Sequence, residues 1–147
     1  MNRPTIVLAE DHPNVAEQLR KLLSGAFDVV DVVGHGEALV KAALKLNPDA
    51  VVTDISMPGM DGLRAAQELL QRMPSLAIVF VTVHDDPALA RKALAIGRGY
   101  VLKTSAGDEL VDAVFAVLDS RRFVSASLGP LETLLEGGAR TAHPARS

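Results

Sequence analysis

The sequence has no cysteine and only one tyrosine among its 147 residues. Without cysteine the chain can form no disulfide, no thiolate zinc site and no thiol nucleophile. It also lacks a basic cluster: 15 lysines and arginines stand against 18 aspartates and glutamates, and the net charge is −3 at pH 7. An acidic chain of this kind is not expected to bind nucleic acid by itself.

Long apolar runs are missing as well. The longest nearly apolar run, at positions 76–83, is far shorter than the roughly 20 residues that a membrane-spanning helix needs. At the N-terminus two acids follow a five-residue apolar stretch directly, whereas a secretory signal has a longer apolar region that ends in small residues. We therefore expect no membrane association and a cytoplasmic protein.

The composition is that of a folded chain with a substantial core, since 48% of the residues are hydrophobic and 22% are charged. The length corresponds to one domain of about 150 residues. From Ser127 onward glycine, alanine, proline, arginine and threonine dominate. We expect a domain over residues 1–126 and a tail or linker over residues 127–147, within which Leu131, Leu134 and Leu135 are spaced for one or two helical turns.

Short β-branched runs alternate with stretches of helical periodicity along residues 5–118. Four of the five runs are almost continuously apolar, which is typical of strands covered by helices on both sheet faces. They are Thr5–Ala9, Phe27–Val33, Ala50–Thr53, Ala77–Val83 and Gly99–Leu102. This order predicts an α/β fold of the flavodoxin-like (βα)5 type, a doubly wound parallel sheet with strand order 2-1-3-4-5. The second run carries two aspartates, which favours an edge strand.

Helix starts are indicated by short polar motifs. Asn14 with Glu17 resembles a capping box at the start of the first helix, and Ser105 with Asp108 resembles one at the start of the fifth. Asp86 followed by proline is typical of a capped start for the fourth helix.

Polar side chains follow four of the five predicted strands. Glu10 and Asp11 come after the first, Asp54 after the third, Thr82 lies near the end of the fourth and Lys103 follows the fifth. Each has an ordinary alternative role as a loop, cap or solvated residue, but parallel strands deliver all of them to one sheet edge. Converging carboxylates repel one another, and Mg²⁺ would relieve that repulsion. The lysine and threonine could stabilise phosphoryl oxygens on an acylphosphate of Asp54.

These residues carry a resemblance to a known family. The sequence resembles a two-component response-regulator receiver domain of the NarL/FixJ (LuxR-type) branch over roughly residues 5–126. The matching stretches are VLAEDHPNV (7–15), VVTDISMPGMDGL (51–63), VFVTVHDDP (79–87), GYVLKTSAGDELVDAV (99–114) and SRRFVSASL (120–128).

The resemblance implies a phosphorylation site that depends on Mg²⁺. Asp54 is the implied phosphoacceptor for a sensor histidine kinase. Mg²⁺ would be held by Asp11 directly, by Glu10 through water, by Asp54 and by the backbone carbonyl of Ser56.

The resemblance also implies a switch. Thr82 and Lys103 would contact the phosphoryl group, and Tyr100 occupies the position of the family's rotamer-switch aromatic, although its alternative role is that of a packed strand residue. His84 is interpreted mainly as a loop residue. The implied output is a changed face of helix 4, strand 5 and helix 5, through which a phosphorylation-dependent homodimer could form and a transcriptional response be controlled.

Three features depart from the family pattern. Glu10 replaces the more usual aspartate, and the segment ALAIGRGYVLK is one residue shorter than the usual spacing between helix 4 and strand 5. Members of this branch continue into a DNA-binding helix-turn-helix domain of about 60 residues, for which residues 127–147 are too few. We therefore expect no DNA-binding half in this chain.

The expected switch is a phosphoacceptor and not an enzyme in the ordinary sense. The sequence allows two alternative functions. A phosphohydrolase with Asp54 as nucleophile would need a general acid close by, but the residue two positions on is Ser56, not a carboxylate. A phosphorylation-independent receiver-fold interaction module agrees with the shortened spacing before Tyr100 but not with the complete acidic set.

Overall fold

The computed structural model of the protein describes residues 2–135. Strands and helices alternate along this part of the chain, and two 3-10 turns lie at Lys103–Ser105 and Ala126–Leu128. The elements are β1 (Thr5–Ala9), α1 (Pro13–Ser24), β2 (Asp28–Val33), α2 (Gly36–Leu46), β3 (Ala50–Thr53), α3 (Gly62–Arg72), β4 (Ala77–Thr82), α4 (Pro87–Ile96), β5 (Gly99–Leu102), α5 (Ala106–Leu118) and β6 (Phe123–Val124).

The strands form one parallel sheet in the order β2-β1-β3-β4-β5-β6. The predicted order 2-1-3-4-5 is confirmed, and β2 is an edge strand as its aspartates indicated. The two-residue strand β6 was not predicted, because two residues are too few to show a pattern. It pairs with Gly99 and Tyr100 of β5. From β1 the chain adds β2 on one side and then β3 on the other, so the strand order switches between β1 and β3. Folds of this kind place their ligand sites at such a switch point.

Two of the three predicted helix starts differ in detail from the structure. Helix α1 begins at Pro13 with His12 as the N-cap residue, because proline is best accommodated in the first helical turn. At α5 a 3-10 turn leads into the helix, and Ser105 makes no capping hydrogen bond with its side chain. The prediction for α4 is confirmed, since Asp86 accepts a 3.0 Å hydrogen bond from the Ala88 amide.

Helices cover both faces of the sheet, which explains the apolar strands. One buried cluster lies between the sheet and helices α2, α3 and α4, and it includes Phe80 and Tyr100. The other lies between the sheet and helices α1 and α5, and it includes Phe27 and Leu110. Both faces of the central strands are therefore inaccessible to ligands, and only the strand ends are open to them.

The described part of the segment expected to be a tail packs against the domain. Residues 131–135 are helical, and Leu134 is 5% exposed within the first core cluster. Leu128 and Leu131 pack against the same cluster. The apolar surface of these leucines docks the segment on the domain. Their spacing in the sequence predicts the one or two helical turns that the structure shows. Residues 136–147 lie outside the described part of the chain. Among residues 2–135, every helix is too short or too polar to span a lipid bilayer.

Candidate functional site

The carboxyl ends of β1 and β3 place the acidic residues side by side. The Glu10 amide continues the hydrogen bonding of β1 to β2 by donating to the Val33 carbonyl at 2.9 Å. The Asp54 amide likewise donates to the Ala9 carbonyl at 3.0 Å, which extends the pairing of β3 with β1. The carboxylates are therefore positioned by the sheet itself and not by a flexible loop.

Lys103 joins two of these carboxylates. Its Nζ lies 2.6 Å from Glu10 Oε1 and 2.8 Å from Asp54 Oδ2. The side chain of Glu10 is fully buried and that of Lys103 is 14% exposed, so water screens these ion pairs weakly. The longer side chain of Glu10, in place of an aspartate, is thus able to reach the lysine.

The ion pairs decide the protonation of both partners. Burial alone would raise the pKa of Glu10, but hydrogen bonds from Lys103 and His12 outweigh burial and hold that pKa below its ordinary value. Burial alone would lower the pKa of Lys103, but hydrogen bonds to Asp54 and Glu10 raise it above its ordinary value. Both groups are therefore charged at neutral pH.

Asp11 supplies a further oxygen at the same edge. Its Oδ1 is buried and accepts no hydrogen bond from the described part of the chain. His12 Nδ1 lies 3.2 Å from this oxygen, but the same nitrogen lies 3.0 Å from Glu10 Oε2. Ligand atoms of Glu10, Asp11 and His12 all lie within 4.8 Å of one another. A buried carboxylate oxygen that accepts no hydrogen bond from the described residues and lies beside a second carboxylate suits a hard divalent cation, so the donor set fits Mg²⁺.

The loop after β3 is folded tightly around Asp54. The Ser56 amide donates to Asp54 Oδ1 at 3.3 Å, and the Gly62 amide donates to the Ile55 carbonyl at 2.8 Å. Any Cβ on Gly62 would collide with the carbonyl oxygen of Asp54. Glycine at position 62 therefore lets the start of α3 approach the acidic residue.

Thr82, His84 and Tyr100 form a second group of contacts. The Thr82 hydroxyl accepts a 3.2 Å hydrogen bond from the His84 amide, and the Tyr100 hydroxyl donates a 2.6 Å hydrogen bond to the His84 carbonyl. The His84 Nε2 atom lies 2.8 Å from Ser56 Oγ. His84 therefore links the loop after β4 both to the loop after β3 and to β5.

The structure brings the predicted residues together in two groups. Glu10, Asp11, Asp54 and Lys103 share one acidic pocket, whereas Thr82 and Tyr100 are bonded to the His84 backbone beside it. Tyr100 is fully buried in β5, so it is a packed strand residue whose hydroxyl also has a specific partner.

Sequence reasoning gave no role to His12 and treated His84 as a plain loop residue. The sequence positions of the two histidines could have indicated their contacts. His12 directly follows the acid pair. His84 lies two residues after Thr82 and Ser56 lies two residues after Asp54, so both are at the same sheet edge.

A model of the response regulator receiver domain family matches residues 6–115. The chain belongs to the response regulator receiver domain family. It is therefore a receiver domain of the kind found in two-component response regulators, and its relatives are NarL/LuxR-type regulators. The transcriptional regulatory protein DegU of Brevibacillus brevis is 32% identical over 126 residues, which cover 84% of this chain and 53% of DegU. The receiver thus spans about half the length of that relative.

Solved receiver structures agree with this assignment. The signal receiver domain of the putative response regulator NarL from Mycobacterium tuberculosis has a TM-score of 0.77 and 31% identity, covering 82% of this chain and 100% of that one. The isolated receiver domain of RcsB from Salmonella enterica serovar Typhimurium, solved in the presence of the phosphomimetic BeF₃⁻, has a TM-score of 0.80 and 31% identity, covering 91% of this chain and 99% of that one.

Proposed function

We propose that this receiver accepts a phosphoryl group on Asp54 from a sensor histidine kinase. The observation that carries the proposal is the position of Lys103, whose Nζ lies 2.8 Å from Asp54 Oδ2 and 2.6 Å from Glu10 Oε1. A cation at this position holds the attacking carboxylate in place, and it can then stabilise the oxygens of the transferred group.

The transfer is a nucleophilic displacement at phosphorus. A carboxylate oxygen of Asp54 forms the new P–O bond while the P–N bond to the kinase histidine breaks, and the imidazole leaves with the bonding electron pair and takes a proton. The residues of the receiver position and stabilise the reacting groups, as is usual for phosphoryl transfer. The Ser56 amide, 3.3 Å from Asp54 Oδ1, holds the orientation of the carboxylate.

The proposed cofactor is Mg²⁺, which fits the buried oxygen of Asp11 that accepts no hydrogen bond within residues 2–135. Asp11, Asp54 and the backbone carbonyl of Ser56 would hold it directly, and Glu10 would contact it through water. When bound, it supplies positive charge for the phosphoryl oxygens.

The response to phosphorylation would run through Thr82 and Tyr100. The hydroxyl of Thr82 would turn from the His84 amide toward a new phosphoryl oxygen, which would loosen the loop that Tyr100 holds through the His84 carbonyl. The output would be a changed face of α4, β5 and α5. A homodimer that forms on phosphorylation and a transcriptional response in the cytoplasm are the proposed consequences.

We propose that residues 1–126 form the receiver and that residues 127–135 continue it as a docked extension, because Leu128, Leu131 and Leu134 belong to or pack against its core. We also propose that this chain alone binds no nucleic acid and no membrane.

The decisive experiment is intact-mass spectrometry after incubation with acetyl phosphate, with and without Mg²⁺. The wild type should gain one phosphoryl group only when Mg²⁺ is present, and Asp54→Ala should gain none. Asp112→Ala, which removes an exposed aspartate of α5, is the matched control and should behave as the wild type.

A wild type that gains nothing from acetyl phosphate or from a cognate kinase would overturn the proposal and favour a phosphorylation-independent interaction module. Continuous release of phosphate from small esters would instead favour a phosphohydrolase.

A further inference from the structure

Ser125 is fully buried just after β6, and its amide, carbonyl and hydroxyl are all hydrogen-bonded. Its amide donates to the Tyr100 carbonyl at 2.9 Å, and its hydroxyl accepts a 2.8 Å hydrogen bond from the Leu102 amide. The same hydroxyl donates to Glu109 Oε1 at 2.5 Å, while the next amide, that of Ala126, donates to Glu109 Oε2 at 3.0 Å. One serine therefore ties together the end of β5, the first turn of α5 and the segment after β6.

These bonds lie at the two ends of the loop that carries Lys103. The loop leaves β5 at Leu102, passes through the 3-10 turn Lys103–Ser105 and enters α5, whose first turn contains Glu109. Ser125 holds both ends, the first through the Leu102 amide and the second through the Glu109 carboxylate. The backbone on either side of Lys103 is thus fixed by a residue that lies outside the acidic pocket.

We infer that Ser125, braced by Glu109, is a positioning residue that sets the location of Lys103 for the phosphoryl group on Asp54. This inference rests on the proposed function. Lys103 has a long side chain with several free torsions, so its Nζ can stay between two carboxylates only when its backbone is held in place. The hydroxyl is suited to this role because it accepts from one end of the loop and donates to the other at the same time.

The bonds to Glu109 are of the strong kind, since the acceptor is a carboxylate. Removal of the Ser125 hydroxyl would leave the buried Leu102 amide and one oxygen of Glu109 without their partner. The end of β5 and the start of α5 would then be free to separate, and Lys103 would move with them.

The test compares Ser125→Ala with Ser127→Ala, which removes the hydroxyl of an exposed serine two residues further along the same segment. We expect the rate of phosphoryl gain from acetyl phosphate, followed by intact mass, to fall by about tenfold in Ser125→Ala and to stay unchanged in Ser127→Ala. Glu109→Gln keeps one acceptor oxygen, and it should give a smaller loss in the same direction. Ser125→Thr restores the hydroxyl and should recover most of the rate.

A double-mutant cycle separates positioning from a general loss of stability. The affinity of the phosphoryl mimic BeF₃⁻, titrated with Mg²⁺ present, is measured for Ser125→Ala, for Lys103→Ala and for the double variant. If Ser125 acts through Lys103, Ser125→Ala weakens binding in the wild-type background and changes it little once Lys103 is absent.

An equal loss of BeF₃⁻ affinity on Ser125→Ala in both backgrounds would overturn the inference. Rates of phosphoryl gain in Ser125→Ala and Glu109→Gln that match the rate in Ser127→Ala would overturn it as well. A wild type that gains no phosphoryl group would overturn the proposed function itself, and this inference with it.

Discussion

The hydroxyl of Tyr100 donates a 2.6 Å hydrogen bond to the backbone carbonyl of His84, and the ring of Tyr100 is fully buried. The bond crosses from the middle of β5 to the loop after β4, where the His84 amide is in turn bonded to the Thr82 hydroxyl. A single side chain of the core thus fixes a loop that borders the acidic pocket.

Tyr100→Phe removes this hydrogen bond and keeps the packed ring. We expect the free energy of unfolding to fall by about 1 kcal/mol, the usual net contribution of a hydrogen bond between neutral groups. Hydrogen exchange in the segment 83–86 should become faster. Urea unfolding and amide exchange check this, and an unchanged exchange rate in that segment would show that the bond does not hold the loop.

The pKa of Tyr100 should be far from that of a free tyrosine. Burial, with smaller contributions from Asp86, Asp85 and Asp54, raises the pKa of Tyr100 to about 12. Because this is the only tyrosine in the chain, its absorbance titrates without overlap from another tyrosine. We expect the native midpoint near pH 12, against about 10 for the unfolded chain.

The same shift predicts how stability changes with pH. The folded state retains the phenol proton that the unfolded state loses, so this contribution is complete below pH 10 and is lost as pH rises toward 12. The stability of the wild type relative to Tyr100→Phe should therefore decrease over that interval, by at most about 3 kcal/mol. A difference that stays constant from pH 9 to 12 would contradict the shift.

Asp11→Asn should change stability in opposite directions with and without Mg²⁺. Without the cation, the substitution removes a charge from beside the buried Glu10 carboxylate and should stabilise the fold by about 1 kcal/mol. With Mg²⁺ at a hundred times its dissociation constant, the wild type should gain about 2.7 kcal/mol and the variant much less. Thermal unfolding against Mg²⁺ concentration measures both effects.

The matched control is Asp112→Asn on the exposed side of α5, which should respond to Mg²⁺ as the wild type does. A melting temperature of the wild type that does not change with Mg²⁺ concentration would show that the acidic pocket does not bind the cation.

Gly62→Ala and Gly107→Ala should have opposite effects. A Cβ on Gly62 collides with the Asp54 carbonyl, whereas a Cβ on Gly107 meets nothing within 4 Å. We expect Gly62→Ala to destabilise the fold by about 2–3 kcal/mol and to slow phosphoryl gain, because the loop after β3 must shift. Gly107→Ala lies in the helix α5 and should stabilise by about 0.5–1 kcal/mol. Similar unfolding energies for the two variants would refute the packing argument.

Much of the fold follows from local pattern. The strands β1, β3 and β5 have the bounds that their apolar runs predicted. A strand covered on both faces is apolar throughout, so the change to polar residues marks where it ends. The helix start at Asp86-Pro87 was equally readable, since capping depends on neighbours in sequence. The start of α1 was not, because Pro13 outweighed the motif at Asn14.

The sequence by itself determined the alternation of strands and helices, and with it the edge at which Glu10, Asp11, Asp54 and Lys103 must meet. Strand ends of a parallel sheet share one edge whatever the side chains do, so the composition of the pocket is a consequence of chain order.

Only the tertiary structure decided how those residues are paired. That Lys103 bonds Glu10 as well as Asp54, that His84 bridges two loops and that Ser125 braces the lysine loop all depend on contacts between elements far apart in sequence. The docking of residues up to Leu135 was decided in the same way, since an apolar surface for those leucines exists only after the sheet and its helices have assembled. Hydrogen-bond partners and apolar burial of this kind depend on three-dimensional proximity, which local sequence patterns do not record.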